Sequence, residues 1–295
     1  MNSSLAAFCL VIILAGCSGR QEQPRIQDSI RQPETTAVSG TAPADTARAG
    51  RATARPDLAA FFQNRGVEGC FILHDLQADT SLRYNPERCD QGFLPASTFK
   101  IFNSLVALES GVAPDENMVL RWDGVKRGGA WDQDHDMRMA FKNSTVWYYQ
   151  EIARRIGEER MKYYLEREDY GNHSTEGGID KFWLSGGLRI TPNEQIDFLK
   201  RLHAGTLGFS PATMSIVRDI MKMEETPQYT IRGKTGWATT DSIDIGWIVG
   251  WVEKTGNTYF FVLNISTRDK DFPMREARKE ILDGILKELG VTGSR

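Results

Sequence analysis

Histidine is scarce in this chain, with four in 295 residues. His74, His135, His173 and His203 lack ligand-like spacing, and no His-Glu-x-x-His motif is present, so the pattern argues against a metalloenzyme. No Gly-x-Ser-x-Gly elbow occurs, which argues against a Ser-His-Asp hydrolase. Basic residues are in slight deficit, 36 Lys and Arg against 39 Asp and Glu, for a net charge of −3. Nothing in that balance would gather nucleic acid or an anionic membrane surface. The apolar run Leu5 to Ala15 falls short of the ~20 residues that cross a bilayer, but it suits the apolar core of an export signal. There is no internal repeat. What remains is 40% hydrophobic and 10% aromatic residues, ample for one large core, and a small-molecule substrate is the expectation.

The amino terminus divides by composition. Residues 1–16 are expected to leave as a signal peptide, although Met1-Asn2-Ser3-Ser4 has no Lys or Arg. Their end, Leu14-Ala15-Gly16-Cys17, resembles a bacterial lipobox, which implies cleavage before Cys17 and lipidation of its thiol. Ser18 rather than Asp follows, and by analogy with bacterial sorting this implies the periplasmic face of the outer membrane, with membrane contact only through the lipid. Residues 17–56 are rich in Gln, Pro, Thr, Ala and Arg without apolar periodicity, so they read as a disordered tether reaching roughly 30–40 Å. The folded domain is expected over 57–295. A homodimer is compatible with this chain and not specified by it.

Within the domain, 68–76 and 81–86 read as an antiparallel hairpin pairing about Leu76 and Ser81. That register brings Cys70 near Cys89, and export would permit a disulfide, so a bridge and two free thiols both stay open. A helix is expected from Ser97 to Gly111, apolar on nearly every face as in a domain centre. Helical spacing continues through Trp131 to Arg201, including Val146–Ile156 and a Pro192-initiated helix. Strands at 228–237, 244–252 and 257–265 then precede an amphipathic helix from Met274 to Leu289. Helices placed between an early hairpin and late antiparallel strands imply an α+β class: an antiparallel β-sheet flanked by helices, with an additional helical region.

Ser97-Thr98-Phe99-Lys100 puts a hydroxyl and an amine three residues apart, hence on one helix face. That is a nucleophile beside a base, and acyl transfer is the chemistry it suits. Lys234-Thr235-Gly236 lies in a strand pattern from which the amine can reach towards Ser97, with Gly236 admitting a ligand close to the backbone. The second copy, Lys254-Thr255-Gly256, has hairpin-turn chemistry instead. Ser144-Thr145-Val146 precedes a helix, where Ser144 suits either an N-cap or a second hydroxyl for proton relay.

These motifs, with Tyr170-Gly171-Asn172, Phe182-Trp183-Leu184 and Gly246–Glu253, appear in the order and spacing of the class D serine β-lactamases, and the chain resembles that family over roughly 60–290. The resemblance implies a β-lactamase/transpeptidase-like fold and hydrolysis of β-lactams through a Ser97 acyl-enzyme, with resistance as the outcome. It implies no cofactor beyond CO2 or bicarbonate, taken up as N-carboxylation of Lys100, with the Trp183 indole donating to the carbamate. Burial by Phe99, Val146, Trp183 and Leu184 would favour the neutral amine this needs. Backbone N–H groups of Ser97 and Trp237 would form the oxyanion hole, and Ser144 and Lys234 would return a proton to the leaving nitrogen. Lys234, Thr235 and Arg275 would hold the substrate carboxylate, while Tyr170 and Asn172 would shape the edge of the site. Two alternatives share the acylation step: a penicillin-binding protein, whose middle motif normally ends in Asn where Val146 stands, and a β-lactam sensor acylated once.

Overall fold

A computed structural model describes residues 52–293; the expected signal peptide, the lipidation of Cys17 and the tether up to residue 51 lie outside the described residues. Seven strands, β1 (Ala52–Ala54), β2 (Glu68–Asp75), β3 (Thr80–Tyr84), β4 (Lys222–Glu225), β5 (Tyr229–Thr239), β6 (Asp244–Lys254) and β7 (Asn257–Thr267), form one sheet in the order β1-β3-β2-β7-β6-β5-β4. All neighbours run antiparallel except β1 with β3. The expected antiparallel sheet flanked by helices is present, with one parallel pair at its edge. The end of the supposed tether supplies the parallel strand: Ala52–Ala54 adds to the edge of β3, and Arg55 N–H donates to the Arg83 carbonyl at 2.8 Å. All three residues of β1 are exposed, so backbone pairing holds them without an apolar signal.

The hairpin forms with Phe71 opposite Tyr84 and Asp75 opposite Thr80, shifted by two from the anticipated register. Nine helices are seen among the described residues: α1 (Ala59–Gln63), α2 (Pro86–Cys89), α3 (Lys100–Glu109), α4 (Met137–Lys142), α5 (Val146–Ile156), α6 (Glu158–Arg167), α7 (Pro192–Ala204), α8 (Pro211–Ile220) and α9 (Met274–Glu288). Cys89 thus ends a short helix rather than a strand, and Cys70 and Cys89 are buried free thiols, not a disulfide.

Both faces of the sheet are covered, which is why its central strands read as near-continuous apolar runs. Along β7, Phe260 and Val262 enter the larger core with α3 to α8, whereas Phe261, Leu263 and Ile265 pack against α1 and α9. Side chains alternate across a strand, so one run of apolar residues feeds two cores. Local chemistry sets the helix limits. In α7, Thr191 accepts from Glu194 N–H while Glu194 reaches back to Thr191 N–H, Pro192 occupies the first turn, and Gly205 (φ 71°) ends it. The helix carrying Lys100 is central, with every residue from Lys100 to Ala107 buried.

Candidate active site

The nucleophile turn is pinned before α3 begins. Ala96 takes the left-handed backbone (φ 50°), which disfavours a residue with a Cβ, and its N–H donates to the Trp183 carbonyl at 3.0 Å. The Trp247 indole on β6 donates to Leu94 O at 2.9 Å, fixing the same turn from the sheet side. A single 3-10 turn, Ala96–Phe99, then leads into α3. Lys100 Nζ donates to Ser97 Oγ at 2.8 Å, so the two functional groups of Ser-x-x-Lys meet.

Lys100 is fully buried whereas Ser97 keeps 9% exposure. Burial without a carboxylate partner pulls the Lys100 amine down to about 7. The Tyr149 ring lies 5.4 Å from Nζ, and in the same core Phe99 stacks on Trp183 at 5.3 Å. Trp183 Nε1 is buried with no acceptor in reach. An unsatisfied buried donor costs free energy, so this indole fits an oxygen acceptor carried by a modified Lys100.

Ser144 also has left-handed backbone (φ 55°), and Thr145, not Ser144, is the N-cap residue of α5. The Ser144 hydroxyl accepts from Lys234 Nζ at 3.1 Å, while Nζ also donates to Thr235 O at 3.0 Å. Burial, then the Lys100 and Arg278 charges, hold Lys234 well below its ordinary value. Ser97 and Ser144, each hydrogen-bonded to a lysine, open onto a cleft of about 690 Å3, with Val146 and Leu184 on its walls. Thr235, Gly236 and Trp237 line the β5 side, and Arg275 projects from the first turn of α9. Trp237 is 38% exposed and its indole donates to Asp244 at 3.0 Å.

Two motif positions, Tyr170 and Asn172, lie away from the cleft edge at which they were expected. Tyr170 is 1% exposed, packed 4.7 Å from the Phe102 ring, and does not line the cleft; it belongs to the core behind α3. Its neighbours brace a loop: a Cβ on Gly171 would strike the Arg189 carbonyl, and Asn172 clamps Gly187 O and Arg189 N–H at 2.9 Å each. Gly236 lines the cleft, but its missing side chain serves packing: a Cβ there would meet Pro95 O at 3.0 Å and Thr98 Cγ2 at 3.1 Å.

Sequence reading missed Arg278, one turn beyond Arg275 on α9, buried and donating to Gly236 O at 2.6 Å. The three-residue spacing was its available signal. It also missed Gln195, whose Nε2 donates to Thr98 Oγ1 at 2.9 Å behind the nucleophile. Nothing short of the packed structure marks a polar residue on that apolar face. The described residues contain no group of three or more side chains suited to a metal.

Residues 50–287 match the family described as penicillin binding protein transpeptidase domain. Among curated proteins, the chain is 43% identical to the probable β-lactamase YbxI of Bacillus subtilis, covering 78% of this chain and 84% of that one. It is 44% identical to β-lactamase OXA-48 of Klebsiella pneumoniae over 76% of this chain and 85% of that one. Among solved structures, the class D β-lactamase YbXI from Nostoc superposes with TM-score 0.76 at 47% identity, covering 79% and 98% of the two chains. The carboxy-terminal domain of the BlaR penicillin-receptor of Bacillus licheniformis gives TM-score 0.78 at 31% identity, over 82% and 98%.

Proposed function

The chain belongs to the class D β-lactamases, serine hydrolases of β-lactams, and on that premise we propose that Ser97 is the nucleophile and Lys100, N-carboxylated, the base for both half-reactions. Two observations carry this reading: Trp183 Nε1 is buried without an acceptor, and Lys100 is fully buried without a carboxylate partner. Bound as a carbamate on Nζ, CO2 supplies an anionic base beside a hydroxyl that neutral lysine would activate less well.

Ser97 Oγ, 2.8 Å from Lys100 Nζ, gives up its proton to the Lys100 side chain as it attacks the β-lactam carbonyl. Backbone N–H groups of Ser97 and Trp237 receive the developing oxyanion. Lys234, hydrogen-bonded to Ser144 at 3.1 Å, passes a proton through that hydroxyl to the leaving ring nitrogen. Arg275 and Thr235 hold the ring carboxylate; the Arg fork suits a planar anion. The proton that Lys100 took passes on to the Lys234–Ser144 pair, which frees the base; water then attacks the Ser97 ester, losing its proton to the Lys100 side chain, which delivers it to Ser97 Oγ as the ester C–O bond breaks. For a bacterium the outcome is β-lactam resistance, exerted at the periplasmic face of the outer membrane through a lipid on Cys17.

The deciding experiment is product per enzyme with a penicillin and a chromogenic cephalosporin, bicarbonate present. Many turnovers are expected. A burst stopping near one equivalent would favour the second reading, a β-lactam receptor, for which the likeness to the BlaR domain is the supporting observation.

A further inference from the structure

Four cations line the cleft, and two of them, Lys142 and Arg275, have neither an ion-pair partner nor a side-chain hydrogen bond among the described residues. The other two are committed: Arg127 is paired with Asp123 at 2.6 Å, and Arg278 donates to Gly236 O. No Asp or Glu lines the cleft. The free pair comes from different elements, Lys142 from the last turn of α4 and Arg275 from the first turn of α9. Lys142 directly precedes the Asn143-Ser144 turn, whose backbone is held by the Trp131 indole at Asn143 O, 2.9 Å. Its position is therefore set by the same turn that delivers Ser144.

A simple β-lactam offers one carboxylate, and Arg275 with Thr235 accounts for it. Lys142 is left over, with no ion-pair partner among the described residues and no acid on the cleft lining itself. Resting on the β-lactamase reading, we propose that Lys142 is a specificity-determining residue that recognises a second anionic group, so that the preferred substrates are dianionic β-lactams with a carboxylate on the acylamino side chain. The amine is exposed and acts through water-screened attraction, with its largest effect on capture of the substrate, kcat/KM, and little on kcat.

Benzylpenicillin and its α-carboxy analogue differ by that carboxylate alone and form the matched pair for the test. The quantity read is the ratio of kcat/KM for the analogue to that for benzylpenicillin, in the full chain at low salt. In Lys142→Gln the ratio should fall about threefold, the scale of an exposed ion pair. Lys142→Arg should retain it, and 0.5 M salt should lower it in the parent towards the Lys142→Gln value. A ratio unchanged in Lys142→Gln, or lowered equally in Lys142→Arg, overturns the proposal while benzylpenicillin turnover leaves the β-lactamase reading standing. Absence of turnover with either compound overturns both.

Discussion

In the proposed mechanism the chemistry turns on Lys100, whose burial brings an amine with an ordinary value of 10.5 to about 7. Only the neutral amine reacts with CO2, so at limiting bicarbonate turnover should decline as pH falls below about 7 and recover when bicarbonate is added. A pH-rate profile at two bicarbonate concentrations checks this, and superimposable profiles would sink it. Linkage gives a second expectation. Between about 7 and 10.5 the unfolded chain binds the proton that folded Lys100 has lost, so stability rises with pH across that window; below about 7 both states are charged and the burial penalty is full. In CO2-free buffer, the parent should gain more resistance to urea between pH 7 and 9 than Lys100→Met does. Trp183→Phe removes the unsatisfied donor while keeping the stacking on Phe99. It should slow deacylation more than acylation, by about 10-fold or more, read as accumulated acyl-enzyme in rapid-quench mass spectra.

At the scale of elements, β5 and the Ala96–Phe99 turn are pressed together at Gly236, where a methyl group would be too close to Pro95 O and Thr98 Cγ2. Gly236→Ala should cost about 1–3 kcal/mol, because overpacking against backbone is relieved only by moving it. The turn that moves carries Ser97, so activity should fall further than stability; equal losses in thermal melting and in turnover of the folded fraction would refute that coupling. The cap of α7 is a separable device. Thr191→Ala should cost about 1 kcal/mol and leave kcat unchanged, since Thr191 lies away from the cleft.

For the whole molecule, the sheet carries two cores, and the cleft opens where the Ala96–Phe99 turn, the α4–α5 turn, β5 and the start of α9 meet. Substitution of Cys17 by Ala should move the protein from the membrane to the soluble fraction if its only hold is a lipid, as fractionation would show. Much of this was legible in order along the chain. Periodicity revealed the hairpin, α7, α9 and the strands β5 to β7, because a face that must be buried repeats with the geometry of its element. Ser97, Lys100, Ser144 and Lys234 were legible because spacing and neighbouring residues constrain them locally. The strand β1 was not, since exposed Ala-Thr-Ala pairs through backbone alone, and β4 is likewise mostly exposed. Tyr170 was misplaced at the site edge because a motif does not reveal which side of α3 it packs on. By itself the sequence determined the chemistry available, a serine, two lysines and an arginine in recognisable settings. Only the tertiary structure decided which were brought together, how far Lys100 is stripped of water, that Arg278 buttresses Gly236, and that Cys70 and Cys89 remain thiols, because desolvation and contact arise from residues distant along the chain.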